Sequence, residues 1–272
     1  MEISGTPDIW GSGEAYKFYV GRWSRLAARE FLAWLAMPTG GRWLDVGCGT
    51  GALSAVILKM AAPLELVGID PSAGFVAHAR TRVTDARARF EIGDAVALAF
   101  PDAAFDAVTA GLSLNFVSNP VAAVAEMARV VQPGGIVGAY VWDYAGGMEL
   151  MRRFWDAAVA LDPSAREMDE GRRFASICHA DALVDLFSKS GLREVETCAV
   201  DIPTVFRDFD DYWTPFLGGQ GPAPAYAMHL GEVQRSKLRE RLRANLPVEE
   251  DGRIVLAARA WAVRGEKASD TH

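Results

Sequence analysis

Cysteine is scarce in this sequence: Cys48, Cys178 and Cys198 are odd in number and lack the paired spacing of a disulfide framework or a zinc site. That usage fits a reducing compartment, and no metal is expected. The four histidines, His78, His179, His229 and His272, are scattered, so none stands out as a base. No apolar run reaches the roughly 20 residues of a membrane span. The opening MEISGTPDIW is acidic and polar where a secretory signal is basic and then apolar. The expectation is a cytoplasmic chain without a membrane contact. Positive charge is also in deficit, 28 Lys and Arg against 35 Asp and Glu for a net charge of -7, which repels a phosphate backbone and excludes nucleic acid as an expected partner. The one basic stretch, RSKLRERLR at 235–243, alternates with Leu and Glu and reads as a solvated helix face.

What is present is apolar bulk: half of the 272 residues are hydrophobic, enough for a sizeable core, with no repeat or low-complexity segment. From Glu14 to Met37 apolar residues recur at helical spacing and stop before Pro38 and Gly40. RWLDVG then predicts a buried strand, ALSAVILKM a helix, LELVGID a second strand, and PSAGFVAHARTRV a helix with Ser72 as N-cap. ARFEIGD and FDAVTAG predict the third and fourth strands. Asn119 and Pro120 open a helix whose buried face is expected along Val121, Val124, Ala128 and Val131, and QPGG stops it before a fifth strand, IVGAYVW. Strands alternating with helices at short spacing indicate a doubly wound, mostly parallel sheet covered on both faces. After Trp142 come two further helices, a strand at LREVETCAVDI, an aromatic and then helical segment from Phe206 to about Asn245, and a last strand RIVLAARAWAV. With no flexible linker the whole of 1–272 is expected to be one domain: a leading helical lid over 1–40, a ligand-binding core over 41–145, and an insertion over 203–250.

Gly47, Gly49 and Gly51 follow the first strand directly. In an open parallel sheet the ligand sits outside the carboxyl ends of the strands, so a backbone this bare at that point indicates a bound ligand. The pattern is G-x-G-x-G, and the third glycine of the dinucleotide fingerprint is replaced by Ala52, which weakens a nicotinamide reading. Asp70 ends the second strand, where a carboxylate accepts hydrogen bonds from ribose hydroxyls in either kind of nucleotide site.

LDVGCGTG, VGIDPS, GDA, FDAV and VVQPGG, in that order, resemble the nucleotide-site motifs of class I S-adenosylmethionine-dependent methyltransferases, in the small-molecule branch that includes the ubiquinone and menaquinone biosynthesis enzymes. The resemblance runs from about Trp43 to Trp142. It implies a seven-stranded sheet of order 3-2-1-4-5-7-6 with the last strand antiparallel, and S-adenosylmethionine as cofactor. It implies that Asp94 accepts from the adenine amino group while the Ala95 amide faces a ring nitrogen. Gly47 and Gly111 would offer main-chain groups to the methionine end, and Asp45 would orient the loop or reach the ammonium through water. Cys48 and Gly49 in the first motif, and Pro71 and Ser72 in the second, complete the motif residues expected at the cofactor. Cys48 has no histidine near it in sequence and reads as filler rather than a nucleophile.

Transfer of an activated methyl mainly requires in-line positioning and exclusion of water; a base is optional. Tyr19 and Arg22, in YKFYVGRWSR, suit a lid over the cofactor, with Arg22 pairing its carboxylate, or else helix packing. Trp213 and Phe216 precede a loop of glycines and prolines and suit an acceptor wall, with core packing as the alternative. Asn115 is the polar side chain after the fourth strand that can orient a small-molecule acceptor. The competing functions are a nicotinamide oxidoreductase and a catalytically silent cofactor-binding domain.

Overall fold

The computed structural model describes residues 21–218 and 221–269. The order along the chain is α1 (Arg22–Leu35), β1 (Arg42–Val46), α2 (Ala52–Met60), β2 (Glu65–Asp70), α3 (Ala73–Arg82), β3 (Ala88–Ile92), β4 (Phe105–Gly111), α4 (Pro120–Val130) and β5 (Val131–Trp142). It continues with α5 (Glu149–Leu161), α6 (Glu170–Arg173), α7 (Ala180–Lys189), β6 (Leu192–Phe206), α8 (Phe209–Trp213), α9 (Pro222–His229), α10 (Glu232–Asn245) and β7 (Ile254–Lys267). The strands form one sheet of order β3-β2-β1-β4-β5-β7-β6. β1 pairs in parallel with β2 and β4, as do β2 with β3 and β4 with β5, while β7 runs antiparallel to β5. The expected topology is the observed one.

Central strands read as continuous apolar runs because both faces are covered; four of the five β1 residues are buried. On one face α1 lies against β5, where Gly138 makes room for it: a Cβ there would stand 2.9 Å from Leu35 Cδ1 and 3.0 Å from Phe31 Cζ. The Phe31 ring reaches on to Tyr140, with centroids 4.6 Å apart. The helix therefore runs back along β5 with its N-terminal end toward the strand's carboxyl end.

Two expectations need correction. The face that α4 buries is Ala123, Val124, Met127 and Val130, and Val121 is 55 % exposed. Asn119 accepts from the Ala122 N–H at 3.0 Å, and that cap fixes a phase in which Val121 points to solvent. β5 also starts directly at Val131, so QPGG lies within the strand; a register shift between Phe105 and Ala107 absorbs it, with Gly134 at φ +75°.

The chain divides into two compact units. One contains Trp23–Asp143, Ser176–Asp201 and the residues from Arg259 on; the other contains Tyr144–Ala175 and Ile202–Ala258 together with Arg22. The second unit joins residues 202–258 with α5 and α6, which lie much earlier in the chain. Its interior is aromatic: Phe154 stacks on Phe216 at 4.4 Å, and the Tyr212 hydroxyl donates to the Leu150 carbonyl. The basic stretch of α10 is spent locally. Arg239 and Arg243 lie over the Phe209 ring, and Arg235 donates to the carbonyls of Ala227, Met228 and Leu230.

Candidate cofactor site at the carboxyl ends of the strands

β1 ends in the glycine turn that the sequence singled out. The N–H groups of Gly47 and Cys48 both donate to the Ile69 carbonyl, at 2.8 and 2.9 Å, which folds the turn onto the end of β2. Gly47, at φ +70°, cannot carry a side chain, because its Cβ would lie 2.5 Å from that of Ser113. Gly49, at φ +52°, has nothing within 4 Å of that position, so a main chain stripped of side chain faces open space there.

Asp70 holds this turn in place. Its Oδ2 accepts the Gly49 N–H at 3.0 Å and its Oδ1 the Ser72 N–H at 2.9 Å. Ser72 then caps α3 through the Phe75 N–H. Burial raises the Asp70 pKa above its ordinary value, against the lowering effect of the two amides. Each carboxylate oxygen retains a second lone-pair position, enough to accept a ribose hydroxyl as well.

Asp45 lies within the same turn region and is fully buried. Its Oδ2 takes the Ser54 hydroxyl at 2.5 Å, while its Oδ1 is buried without a partner. Desolvation pushes its carboxyl up to about 7, opposed by the Ser54 bond and reinforced by the charge of Asp70. An orphaned buried carboxylate oxygen is costly in isolation, which suits a site that receives a cationic group. Burial and the neighbouring acids Asp45 and Asp70 push the Cys48 thiol well above its usual range, so it stays protonated and unreactive.

The remaining motif residues lie where the strand ends put them. Asp94 is exposed and accepts the Val96 N–H at 3.1 Å, with Ala95 buried beside it and Pro71 exposed at the end of β2. Gly111 has no room for a side chain, since a Cβ would meet Leu53 and the Tyr140 hydroxyl at 2.9 Å. Asn115 sits on a 3-10 turn, Leu114–Phe116, packed against β5, and its Nδ2 is buried with no partner.

Of four further expected residues, the three that are described, Arg22, Trp213 and Phe216, are engaged in packing and pairing away from the strand ends. Tyr19 lies outside the described residues. Arg22 is not open to a carboxylate ligand: it forms a two-pronged pair with Asp211 at 3.0 and 3.1 Å, donates to the Val205 carbonyl at 3.0 Å and lies over the Phe206 ring. Trp213 and Phe216 are 4 % and 0 % exposed, and their rings fill the core of the helical unit.

The sequence reading did not single out Ser54, Leu112 and Ser113. Ser54 had a signal, as the one hydroxyl before Lys59 in the apolar helix ALSAVILKM. Leu112 holds a left-handed conformation at φ +57° at the end of β4, an unusual backbone for leucine. It starts the turn that lets Ser113 Oγ donate to the Val46 carbonyl at 3.0 Å. A backbone angle of this kind leaves no trace in composition. Among the described residues no cluster of three or more His, Cys, Asp or Glu is arranged to hold a metal, and no helix is long and apolar enough to cross a membrane.

A doubly wound sheet of this order, with a glycine turn and acids at the ends of β1 and β2, defines the class I methyltransferase fold. Residues 44–139 match the family described as a methyltransferase domain. Among curated relatives, the 2-methyl-6-phytyl-1,4-hydroquinone methyltransferase of Synechocystis is 29 % identical over 189 residues, 68 % of this chain and 57 % of that protein. The demethylmenaquinone methyltransferase of Deinococcus radiodurans is 38 % identical over 115 residues, 42 % of this chain and 46 % of that one. The chain thus spans about half the length of the curated relatives it matches. A putative methyltransferase from Bacillus halodurans shares the fold at a TM-score of 0.57 and 15 % identity, covering 89 % of this chain and 99 % of that one. The phosphoethanolamine N-methyltransferase 2 of Haemonchus contortus, solved with S-adenosylhomocysteine, does so at 0.58 and 17 %, covering 94 % and 57 %.

Proposed function

We propose that the chain transfers a methyl group from S-adenosylmethionine to a small organic acceptor. The observation that carries this is the pairing at the strand ends: a buried Asp45 oxygen without a partner lies beneath a glycine turn that faces open space and is pinned by Asp70. The donor set fits the cofactor. Asp70 would accept from the ribose, Asp94 and the Ala95 amide would read the adenine, and Gly47, Gly111 and Asp45 would hold the methionine end, whose ammonium supplies the positive charge Asp45 lacks.

When bound, the cofactor supplies a methyl already activated by a sulfonium, so the residues of this chain have to position and exclude rather than activate. Ser54 and Ser113 keep the turn and the segment after β4 in place through Asp45 and Val46. Asn115 offers an N–H donor with no internal partner, which suits an oxygen on the acceptor. The hydroquinone and demethylmenaquinone named for the two relatives favour an acceptor of quinol type. We also propose that it works in a reducing cytoplasm, on the three cysteines without paired spacing, and without nucleic acid as partner, on the acidic balance of the chain.

Calorimetry with S-adenosylmethionine, S-adenosylhomocysteine and NAD tests the cofactor, with binding of the first two and none of the third expected. Turnover against a panel of quinols and a metabolite extract then separates an enzyme from a silent binding domain. Absence of binding by either sulfur compound at millimolar concentration overturns the assignment.

A further inference from the structure

Among the described residues β3 is an edge strand of the sheet. Leu66 N–H donates to the Arg87 carbonyl and Gly93 N–H to the Asp70 carbonyl, so the main-chain groups of Arg89 and Glu91 also face β2. Those of Ala88, Phe90 and Ile92 therefore point away from the sheet. Two of these outward groups are engaged. The Ala88 N–H donates to Asp85, and the Phe90 carbonyl accepts from Arg80 twice, Nε at 3.0 Å and Nη2 at 2.5 Å. Beside them runs an open groove of about 370 Å³ lined by Arg80, Val83, Ala88, Arg89, Phe90 and Glu91, and Ile92 beyond it is 62 % exposed.

The strand is complementary to itself. Antiparallel pairing with a second copy about Phe90 sets phenylalanine opposite phenylalanine, Arg89 opposite Glu91 on both sides, and Ala88 opposite Ile92 on both sides. Each facing pair is apolar or of opposite charge, the combinations that favour cross-strand pairing. The central rung of that ladder would use the Phe90 N–H and carbonyl of each copy, and this carbonyl is the one Arg80 occupies. An exposed edge of this kind is a template for association unless something covers it.

We propose that Arg80 is an edge guard, and that the surface it guards is a latent self-association site of this chain formed by β3 against β3. Arg80 is an exposed residue near the end of α3, so its guanidinium can be removed without opening the core. Sedimentation equilibrium of the full chain compares wild type, Arg80→Met and Arg80→Met with Glu91→Arg. Arg80→Met is expected to raise the self-association constant at least tenfold, and Glu91→Arg, which sets like charges opposite each other, to return it to the wild-type value. An association constant unchanged by Arg80→Met overturns the proposal, as does association that Glu91→Arg leaves intact. Should Arg80→Met fail to fold, Arg80→Lys is measured in its place and is expected to associate more strongly than wild type. No change there, or loss of fold in both variants, also overturns it, since a guard on an exposed helix position is dispensable for folding.

Discussion

Asp70 accepts the N–H groups of Gly49 and Ser72 on its two oxygens, so one carboxylate both closes the glycine turn after β1 and starts the helix after β2. Its substitution removes these two bonds as well as the proposed ribose contact. Hydrogen bonds to a charged group contribute about 1.5–3 kcal/mol each. Asp70→Ala is expected to weaken S-adenosylmethionine binding by more than about tenfold, or 1.4 kcal/mol, and to lower the melting temperature in the absence of ligand. Asp70→Asn keeps one acceptor oxygen and should fall between. Calorimetry and thermal melting on the same samples check both effects, and an Asp70→Ala variant with unchanged affinity would move the nucleotide site elsewhere.

Asp45 and Glu170 are fully buried acids, each raised to about 7 mainly by desolvation. Glu170 takes the Trp155 indole N–H on one oxygen and has no partner on the other. The unfolded chain ionises both near pH 4, whereas the folded chain holds them neutral up to about 7, so stability from these groups is full below pH 4 and declines as pH rises to 7. Asp201, Asp211 and Glu126 are lowered by Arg partners and act in the opposite direction, but their effect lies below pH 4.5. Between pH 5 and 8 the buried acids dominate. Glu170→Gln keeps an acceptor for Trp155 without a charge to desolvate. It is expected to raise stability at pH 8 by up to about 3 kcal/mol and to flatten the decline, as measured by denaturant midpoints across that range.

The same titration gives Asp45 a ligand-dependent signature. Ionised Asp45 attracts a cationic group, so S-adenosylmethionine affinity is expected to fall as pH drops below about 7. Asp45→Asn should abolish that slope and weaken binding by about tenfold at pH 8. A slope that persists in Asp45→Asn assigns the titration to another group.

The first four strands were legible partly because a glycine or an acid stands at or just past the end of each, Gly47, Asp70, Asp94 and Gly111. Gly47, Asp70 and Asp94 are at strand ends in the sequence and in the fold. The phase of α4 was not legible, because Val121 has the composition of a buried residue and only the Asn119 cap turns it outward. Nor was the partner of Arg22. An arginine beside aromatic residues reads equally as a ligand clamp or a brace, and Asp211, far along the chain, decides for the brace. The aromatic run around Trp213 had the same ambiguity. Burial resolves it toward packing, a property set by α5 and α9 rather than by the run itself.

That packing can be tested directly. Phe216 is wholly buried and stacked on Phe154 with an interplanar angle of 13°, and Trp213 lies 6.1 Å from Phe216 between ring centroids. Truncating a buried aromatic ring costs about 3–5 kcal/mol. Phe216→Ala and Trp213→Ala should lower stability by that amount, with Phe216→Leu recovering most of it. If either alanine variant melts like wild type while turnover collapses, the ring lines the acceptor site and is not a brace.

Asn115 separates binding of the acceptor from folding. Its Nδ2 is sealed from water with no protein partner, so it carries a desolvation cost of about 1–3 kcal/mol that no internal bond offsets. Replacing it with leucine, close to it in size, removes the orphan donor and is expected to leave the melting temperature unchanged or slightly higher. S-adenosylmethionine affinity should stay within about threefold, because the side chain lies beyond β4 and outside the Asp45, Asp70 and Asp94 set. Turnover of a quinol acceptor should nevertheless fall at least tenfold, as expected when an oxygen of the acceptor loses a donor that holds it in line. Steady-state kinetics with the cofactor saturating decides the point: a fall in kcat/KM at unchanged stability assigns Asn115 to the acceptor, and unchanged kinetics removes it from the site.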